Sequence, residues 1–104
     1  MPKYMFVYHR GSRPETEEAQ KAAREAWDKW YTDMGAAVVD GGGYAGMSKT
    51  VSSSGVADNG GANPVSGLTI VEAADHDAAC EMAKGCPVVI DGTGSVEVAE
   101  LIQL

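Results

Sequence analysis

The sequence predicts an α+β fold of the ferredoxin-like type, in which two helices cover one face of an antiparallel sheet. Three observations support this prediction. The chain has 104 residues, close to the commonest domain size, so we expect residues 1–104 to form a single domain. Its segments read strand, helix, strand, weak strand, strand, helix, strand, which makes two split βαβ units. Several strands carry apolar residues on both alternating faces, which indicates a sheet covered on both sides.

The first strand is predicted for "KYMFVYH", residues 3–9, because its residues are aromatic and branched. Met5 and Val7 share one face, and the other face carries the aromatic side chains of Tyr4, Phe6 and Tyr8. A helix follows, with an acid-rich first turn and an end at Gly35. Its apolar stripe consists of Ala19, Ala23, Trp27, Trp30, Tyr31 and Met34.

The second half begins with "AAVVDGGGYAG", a short strand that runs into a glycine cluster. The polar segment "MSKTVSSSGVADNGGANPVSG" predicts a thin strand or hairpin, and "LTIVEAA" predicts a strand that is apolar on both faces. Asp75 and Gly85 bound a helix over about Asp75 to Lys84, and Pro87 prevents its continuation. The last strand, "GSVEVAELIQL", is predicted to place these residues on one side: Val96, Val98, Ile102 and Leu104.

Strands that are apolar on both faces indicate that something besides the two helices covers the sheet. Two helices cover only one face of a ferredoxin-like sheet, and apolar surface left in water forfeits about 25 cal/mol per Å². We therefore expect a homodimer packed sheet against sheet, which forms a dimeric α+β barrel.

Composition narrows the classes of partner. A formal charge of −7 disfavours a nucleic-acid backbone or an anionic membrane, because both would repel the chain. No stretch has the roughly 20 apolar residues of a membrane span, and the start carries no signal-peptide pattern, so we expect a cytoplasmic protein. A small-molecule ligand or another protein remains compatible with this charge.

No motif predicts a cofactor or a metal. The stretch "GGGYAG" matches G-x-G-x-x-G at Gly41, Gly43 and Gly46, but no helix follows it to hold a pyrophosphate. We interpret it as a loop that needs positive φ or a close backbone approach. The segments "DNGGANP" and "DGTG" lack the ligand series of a calcium loop. Cys80 and Cys86 lack tight metal-ligand spacing and are expected to be structural free thiols.

Two residues are candidates for proton transfer. His9 stands at the end of the first strand, and imidazole titrates near neutral pH, so His9 can act as a general base. A histidine satisfied by local hydrogen bonds is the simpler alternative. Asp40 ends the second strand and is the nearest acidic candidate by topology.

Three further residues are candidates for ligand binding. Trp27 can line an apolar pocket, although aromatic residues at helical spacing more often belong to the core. Arg24 lies beside the same stripe and can reach an anionic ligand, or it can lay its stem on apolar surface. Tyr44, within the glycine cluster, is the third candidate contact.

Four stretches resemble the YCII-related, or DGPF-type, domain family: "KYMFVYHRG", "WDKWYTDMGAAVVDGG", "NPVSGLTIVEAADHDAACEMAKGCP" and "GSVEVAEL". The resemblance implies a ferredoxin-like fold that dimerises as an α+β barrel. A histidine and an aspartate in some members imply an enzyme, and one relative is similar to a dehydrochlorinase of a chlorinated hydroquinone. Here Arg24 stands at or near the position of the family histidine, and "DNGG", Asp58 to Gly61, replaces the D-G-P-F stretch.

Two functions follow as hypotheses. The first is a ligand-binding or regulatory dimer without catalysis. The alternative is a small lyase or isomerase that binds a compact aromatic or carboxylated substrate between sheet and helices, with His9 or Asp40 as base and Arg24 as anion anchor. A solvent-reachable cavity that contains His9 and a carboxylate within hydrogen-bond reach would favour the enzyme.

Overall fold

The computed structural model describes residues 1–103, so Leu104 lies outside the described residues. A 3₁₀ turn at Gly35–Ala37 links the first helix to the second strand. The other elements, in chain order, are β1 (Lys3–Arg10), α1 (Glu17–Met34), β2 (Val38–Tyr44), β3 (Thr50–Ser52), β4 (Gly55–Ala57), β5 (Val65–Glu72), α2 (His76–Ala83), α3 (Pro87–Ile90) and β6 (Gly94–Leu101).

The main sheet has the ferredoxin-like order β2-β5-β1-β6, and its neighbouring strands are antiparallel. The segment predicted to be thin and polar forms a separate two-stranded hairpin of β3 and β4. The predicted α+β fold is therefore confirmed, with the hairpin inserted between the second and third strands of the basic pattern.

One face of the sheet packs against the helices. Tyr4, Phe6 and Tyr8 alternate on this face of β1 and are buried. Trp30 of α1 packs against Phe6 and Tyr8, and the ring of Tyr4 contacts that of His76 at the start of α2. Their cross-strand neighbours on β5 are Val71, Thr69 and Gly67. The period-2 alternation of β1 thus places its aromatic residues in the core, as the sequence predicts.

The opposite face, here called the open face, is also apolar. Met5 and Val7 of β1 lie opposite Ile70 and Leu68 of β5 on this face. The exposed fraction of Leu68 is 38%, whereas Met5, Val7 and Ile70 are half-buried. The strands are therefore apolar on both faces in the fold as well, and none of the helices within residues 1–103 covers the open face.

Local signals set the helix ends. The Thr16 hydroxyl accepts from the Ala19 amide to cap α1, which ends at Gly35 with a positive φ of 56°. The Asp75 carboxylate accepts from the Ala78 amide at 2.8 Å to cap α2. The predicted end of α1 at Gly35 and the predicted start of α2 after Asp75 are both confirmed.

The segment after α2 differs from its prediction in one respect. Pro87 ends α2 but also starts α3, where its fixed φ suits the first helical position. Cys86 therefore occupies the N-cap position of α3, where its side chain is fully buried and makes no capping hydrogen bond. The last strand ends at Leu101, so Ile102 projects from its end and is 75% exposed.

Among residues 1–103, no helix is both long and apolar enough to cross a membrane.

Candidate functional site

Two adjoining cavities lie on the helix side of the sheet, and they share the side chains of Tyr8, Trp27 and Tyr44 as a common wall. The larger cavity measures about 700 Å³ and the smaller about 300 Å³. We call the two together the aromatic cleft. Segments far apart in sequence line it, including the loop after β1, the glycine cluster of β2 and the end of the β3–β4 hairpin.

The wall of the aromatic cleft is built by edge-to-face aromatic contacts. The ring of Trp27 stands nearly perpendicular to that of Tyr8 at a centroid distance of 5.1 Å, and to that of Tyr44 at 6.4 Å. Trp30, three residues further along α1, is buried and donates its indole N–H to the Met82 carbonyl at 3.0 Å. The stripe of α1 therefore divides: Trp30 belongs to the core, and Trp27 faces the cleft.

A chain of hydroxyl groups lies beneath the smaller cavity. The Tyr8 hydroxyl donates to Thr69 Oγ1 at 2.7 Å, and the Tyr31 hydroxyl lies 2.8 Å from the same oxygen. Both Tyr31 and Thr69 also reach the Gly41 carbonyl, at 3.2 and 3.3 Å. Burial raises the pKa of Tyr8 well above its usual range, which accords with a phenol that donates its proton to Thr69.

All three arginines of the chain line the aromatic cleft. Arg10 and Arg13 border the larger cavity, and Arg24 borders the smaller one beside Asp28. The ion pairs among residues 1–103 involve lysines and His9, and no guanidinium group takes part in them. In a chain with a formal charge of −7, this concentration of unpaired arginine favours an anionic ligand.

His9 lies on the other side of the sheet. It follows Tyr8 on β1, so its side chain projects from the open face, where Nε2 lies 3.0 Å from Glu97 Oε1 and Nδ1 lies 3.2 Å from the Pro64 carbonyl. Both partners accept hydrogen bonds, and a neutral imidazole has one N–H. The two contacts can be made together only when the ring carries two protons or Glu97 carries one.

Asp40 occupies the open face as well, but apart from His9. It lies opposite Ile70, whose β1 partner is Met5, four residues or about 13 Å along the strand from His9. Its carboxylate accepts from the Gly42 amide at 2.8 Å and stabilises a local turn.

The five sequence candidates therefore separate into two groups. Arg24, Trp27 and Tyr44 meet in the aromatic cleft, whereas His9 and Asp40 lie on the open face. We expected a base and Arg24 to lie together between the sheet and the helices. The structure separates them, because successive side chains of β1 point to opposite faces of the sheet. Because Tyr8 faces the helices, the next residue must face away from them.

Neither cysteine belongs to the cleft. Cys80 is exposed, and burial raises the pKa of the Cys86 thiol to about 11. Within residues 1–103 no group of three or more His, Cys, Asp or Glu side chains is placed to hold a metal ion. The glycine cluster does make the expected close approach: Gly42 has a φ of 63°, and a Cβ there would lie 1.8 Å from the Leu68 carbonyl oxygen.

Sequence reasoning missed Tyr8, Arg10 and Arg13 as lining residues of the cleft. One signal was present, because all three arginines fall within the first 24 residues, on either side of the start of the first helix. No sequence pattern indicates that the hairpin, through Asp58 to Gly60, closes the far side of the same cavity.

No family model matches the sequence, so membership of the YCII-related family stays a prediction, and no curated protein matches it. Among solved structures, the chain is similar to a 5-chloro-2-hydroxyhydroquinone dehydrochlorinase from Burkholderia phenoliruptrix AC1100, solved in complex with 2,5-dihydroxybenzoquinone. The TM-score is 0.57 at 16% identity, over 96% of this chain and 95% of that one. At this identity the likeness shows a shared fold.

Proposed function

We propose that this chain is a small-molecule-binding protein of the YCII-related type, and that its ligand is a compact aromatic compound held in the aromatic cleft. The observation that carries the proposal is the shared wall of Tyr8, Trp27 and Tyr44, which presents aromatic surface to both cavities. An aromatic pair in offset or edge-to-face contact contributes about 0.5–1.5 kcal/mol beyond the area that it buries.

The dimensions and chemistry of the cleft support this proposal. A volume of about 700 Å³ falls within the usual range of small-molecule sites, which combine apolar walls with a few polar groups. The structurally similar dehydrochlorinase was solved with a six-membered quinone ring, a compound small enough for either cavity. Tyr44 supports the role most directly, because 84% of its surface is exposed while its ring stays beside Trp27.

We propose further that two copies of the chain pair through the open face. The apolar side chains of this face form a continuous row across three strands: Met5 and Val7 on β1, Leu68 and Ile70 on β5, and Ala99 and Leu101 on β6. A second copy would remove this row from water and would also cover the His9–Glu97 pair.

A single observation supports the enzyme alternative, a lyase or isomerase. His9 is only 8% exposed and has a carboxylate at hydrogen-bond distance that can orient its ring, and its Nδ1 can accept a proton from a substrate once the contact with the Pro64 carbonyl is broken. It does not line either cavity of the aromatic cleft, so in this alternative the substrate would bind at the open face. Asp40 would then act separately from His9 and not as its partner.

Calorimetric titration with 2,5-dihydroxybenzoquinone and with hydroquinone tests the binding proposal. We expect saturable binding of at least one compound, and a loss of about five- to tenfold in affinity for Trp27→Ala, which removes the shared wall. Glu25→Ala, at an exposed position on the same helix, serves as the matched control and should bind as the wild type does. Equal affinity of the Trp27→Ala variant would contradict the proposal.

Incubation with chlorinated hydroquinones separates the two functions. The binding proposal predicts no release of chloride beyond the protein-free rate. Catalysed release that is lost in His9→Ala and kept in Trp27→Ala would instead favour the enzyme alternative and place its site on the open face.

A further inference from the structure

We infer that Arg10 and Arg13 form an anion-recognition end of the aromatic cleft, so that the ligand is an aromatic acid whose carboxylate lies against these two guanidinium groups. The inference rests on the proposed function and specifies its ligand class. It places the anion at the larger cavity, away from Arg24.

The charges lining the two cavities differ. Arg10 and Arg13 line the larger cavity together with Asp58, whose carboxylate lies 3.5 Å from the ammonium group of Lys49. Asp58 is therefore compensated by a lysine, and the two arginines are left as net positive charge. The smaller cavity is lined by Arg24 and Asp28, whose formal charges sum to zero. An anion entering from water is consequently attracted to the larger cavity.

The backbone of Arg10 supplies an independent observation. Arg10 has a φ of 63°, and it is the one residue other than glycine with a positive φ among residues 1–103. This left-handed conformation is uncommon for a side chain without a short polar group and would suit glycine better. Strained residues of this kind occur mainly at binding and catalytic sites, where surrounding contacts hold them in place.

Such contacts surround Arg10. The Ser66 hydroxyl donates to the Arg10 carbonyl at 3.1 Å, and the next residue, Gly11, donates its amide to the Thr93 carbonyl at 3.1 Å. The pairing of β1 with β5 shifts by one residue at this point, because Tyr8 pairs with Gly67 and the following residue pairs with Val65. A bulge of this kind redirects side chains at the end of a strand. Here the bulge lies next to the left-handed backbone conformation of Arg10, and Arg10 lines the larger cavity.

The remaining lining suits a carboxylated ring. A guanidinium group binds a carboxylate through two parallel hydrogen bonds, and Ser12, Ser48 and Ser66 add hydroxyl groups around the same cavity. Trp27 and Tyr44 bound the cavity on the side toward α1 and β2. One ligand can therefore contact the arginines with its acid group and the aromatic wall with its ring.

The test compares hydroquinone with 2,5-dihydroxybenzoate, which differs from it by one carboxylate. Calorimetric titration of the wild type should show at least tenfold tighter binding of the acid, and this advantage should shrink as NaCl rises from 20 to 300 mM. Arg10→Gly and Arg13→Gln should each weaken binding of the acid about fivefold or more and leave hydroquinone unchanged. Lys21→Gln, at an exposed cation of α1 that does not line the cleft, is the control.

Arg10→Gly should also raise the melting temperature of the ligand-free protein, because glycine relieves the positive φ while the cation is lost. A higher melting temperature together with weaker binding of the acid would show that Arg10 serves ligand binding. A purely structural role predicts a lower melting temperature for the variant.

Equal binding of the two compounds by the wild type, with a loss in Trp27→Ala, would overturn this inference and leave the proposed function standing. A fall in affinity for both compounds in the Arg10 and Arg13 variants would also overturn it. Binding of neither compound would remove both the inference and the proposed function.

Discussion

At the scale of single residues, identical residue types acquire different properties from their surroundings. Cys80 and Cys86 lie six positions apart, yet Cys80 is exposed on α2 and Cys86 is fully buried at the start of α3. Burial disfavours the thiolate, which raises the pKa of Cys86 from its ordinary 9.0 to about 11. The two thiols should therefore react at different rates, since the thiolate is the reactive form.

We expect a maleimide reagent at pH 8 to label one thiol per folded chain, and Cys80→Ser to abolish that labelling. Cys86→Ser should lower the free energy of unfolding in urea by about 1–2 kcal/mol, because it puts a hydroxyl in the apolar core. Cys80→Ser is the control for stability and should change it by less than about 0.5 kcal/mol. Rapid labelling of Cys86 in the folded Cys80→Ser variant would show that its environment is not closed.

The shifted pKa of Cys86 also gives a pH dependence. Its folded pKa is raised, so the contribution of the buried thiol is fully present below about pH 9 and is lost as the pH rises to about 11. The wild type should therefore lose stability over this interval relative to Cys86→Ala, as measured by urea unfolding at each pH. Parallel curves for the two proteins would contradict this expectation.

At the scale of elements, β2 determines the shape of the aromatic cleft because it carries Tyr44 at the edge of the sheet. Its pairing with β5 is irregular, with shifts on both sides of Asp40. Gly42 permits the second shift, since its φ is 63° and its backbone approaches Leu68 too closely for a side chain. The three consecutive glycines, Gly41 to Gly43, are therefore not equivalent.

Gly42→Ala should destabilise the protein by about 2 kcal/mol or more and weaken ligand binding, because β2 must move away from β5. Urea unfolding and hydrogen exchange of the β2 amides are the measurements. Gly41→Ala is the matched control for stability: apart from its own chain neighbours, no atom lies within 4 Å of a Cβ at Gly41, and its φ is not positive. A Gly42→Ala protein as stable as the Gly41→Ala protein would refute the role assigned to this contact.

At the scale of the whole molecule, the open face predicts how two chains associate. Ile70 lies at the centre of that face between Met5 and Asp40. In the proposed homodimer its side chain would leave water entirely, and a lysine there would bring a charge into the interface at a desolvation cost that the neighbouring Asp40 offsets only in part. The assembly therefore provides a test that does not depend on the identity of the ligand.

In sedimentation velocity we expect the wild type to behave as a dimer at micromolar concentration. Ile70→Lys should weaken the dimer at least tenfold and shift the protein toward monomer. Val51→Lys makes the same change on the β3–β4 hairpin, where Val51 is 76% exposed, and should leave the dimer intact. A monomeric wild type would exclude the proposed pairing.

Local patterns in the sequence determined much of this fold. Three local features fix the types and ends of the elements before any tertiary contact forms, because each acts within a few residues. They are the alternation of Tyr4, Phe6 and Tyr8, the capping residues Thr16 and Asp75, and the glycine at position 35. The same alternation also implies that His9 faces away from the helices. The sequence therefore contained the information that separates His9 from Arg24.

Only the tertiary structure decided the composition of the cleft. Arg10, Tyr44 and Asn59 are far apart in the chain, and they line one cavity because a bulge, an irregular edge strand and an inserted hairpin bring three segments together. Such contacts depend on strand register and on the path of loops, which no local periodicity specifies. Short-range preferences could define the sheet and helices, whereas long-range packing selected the residues that meet at the site.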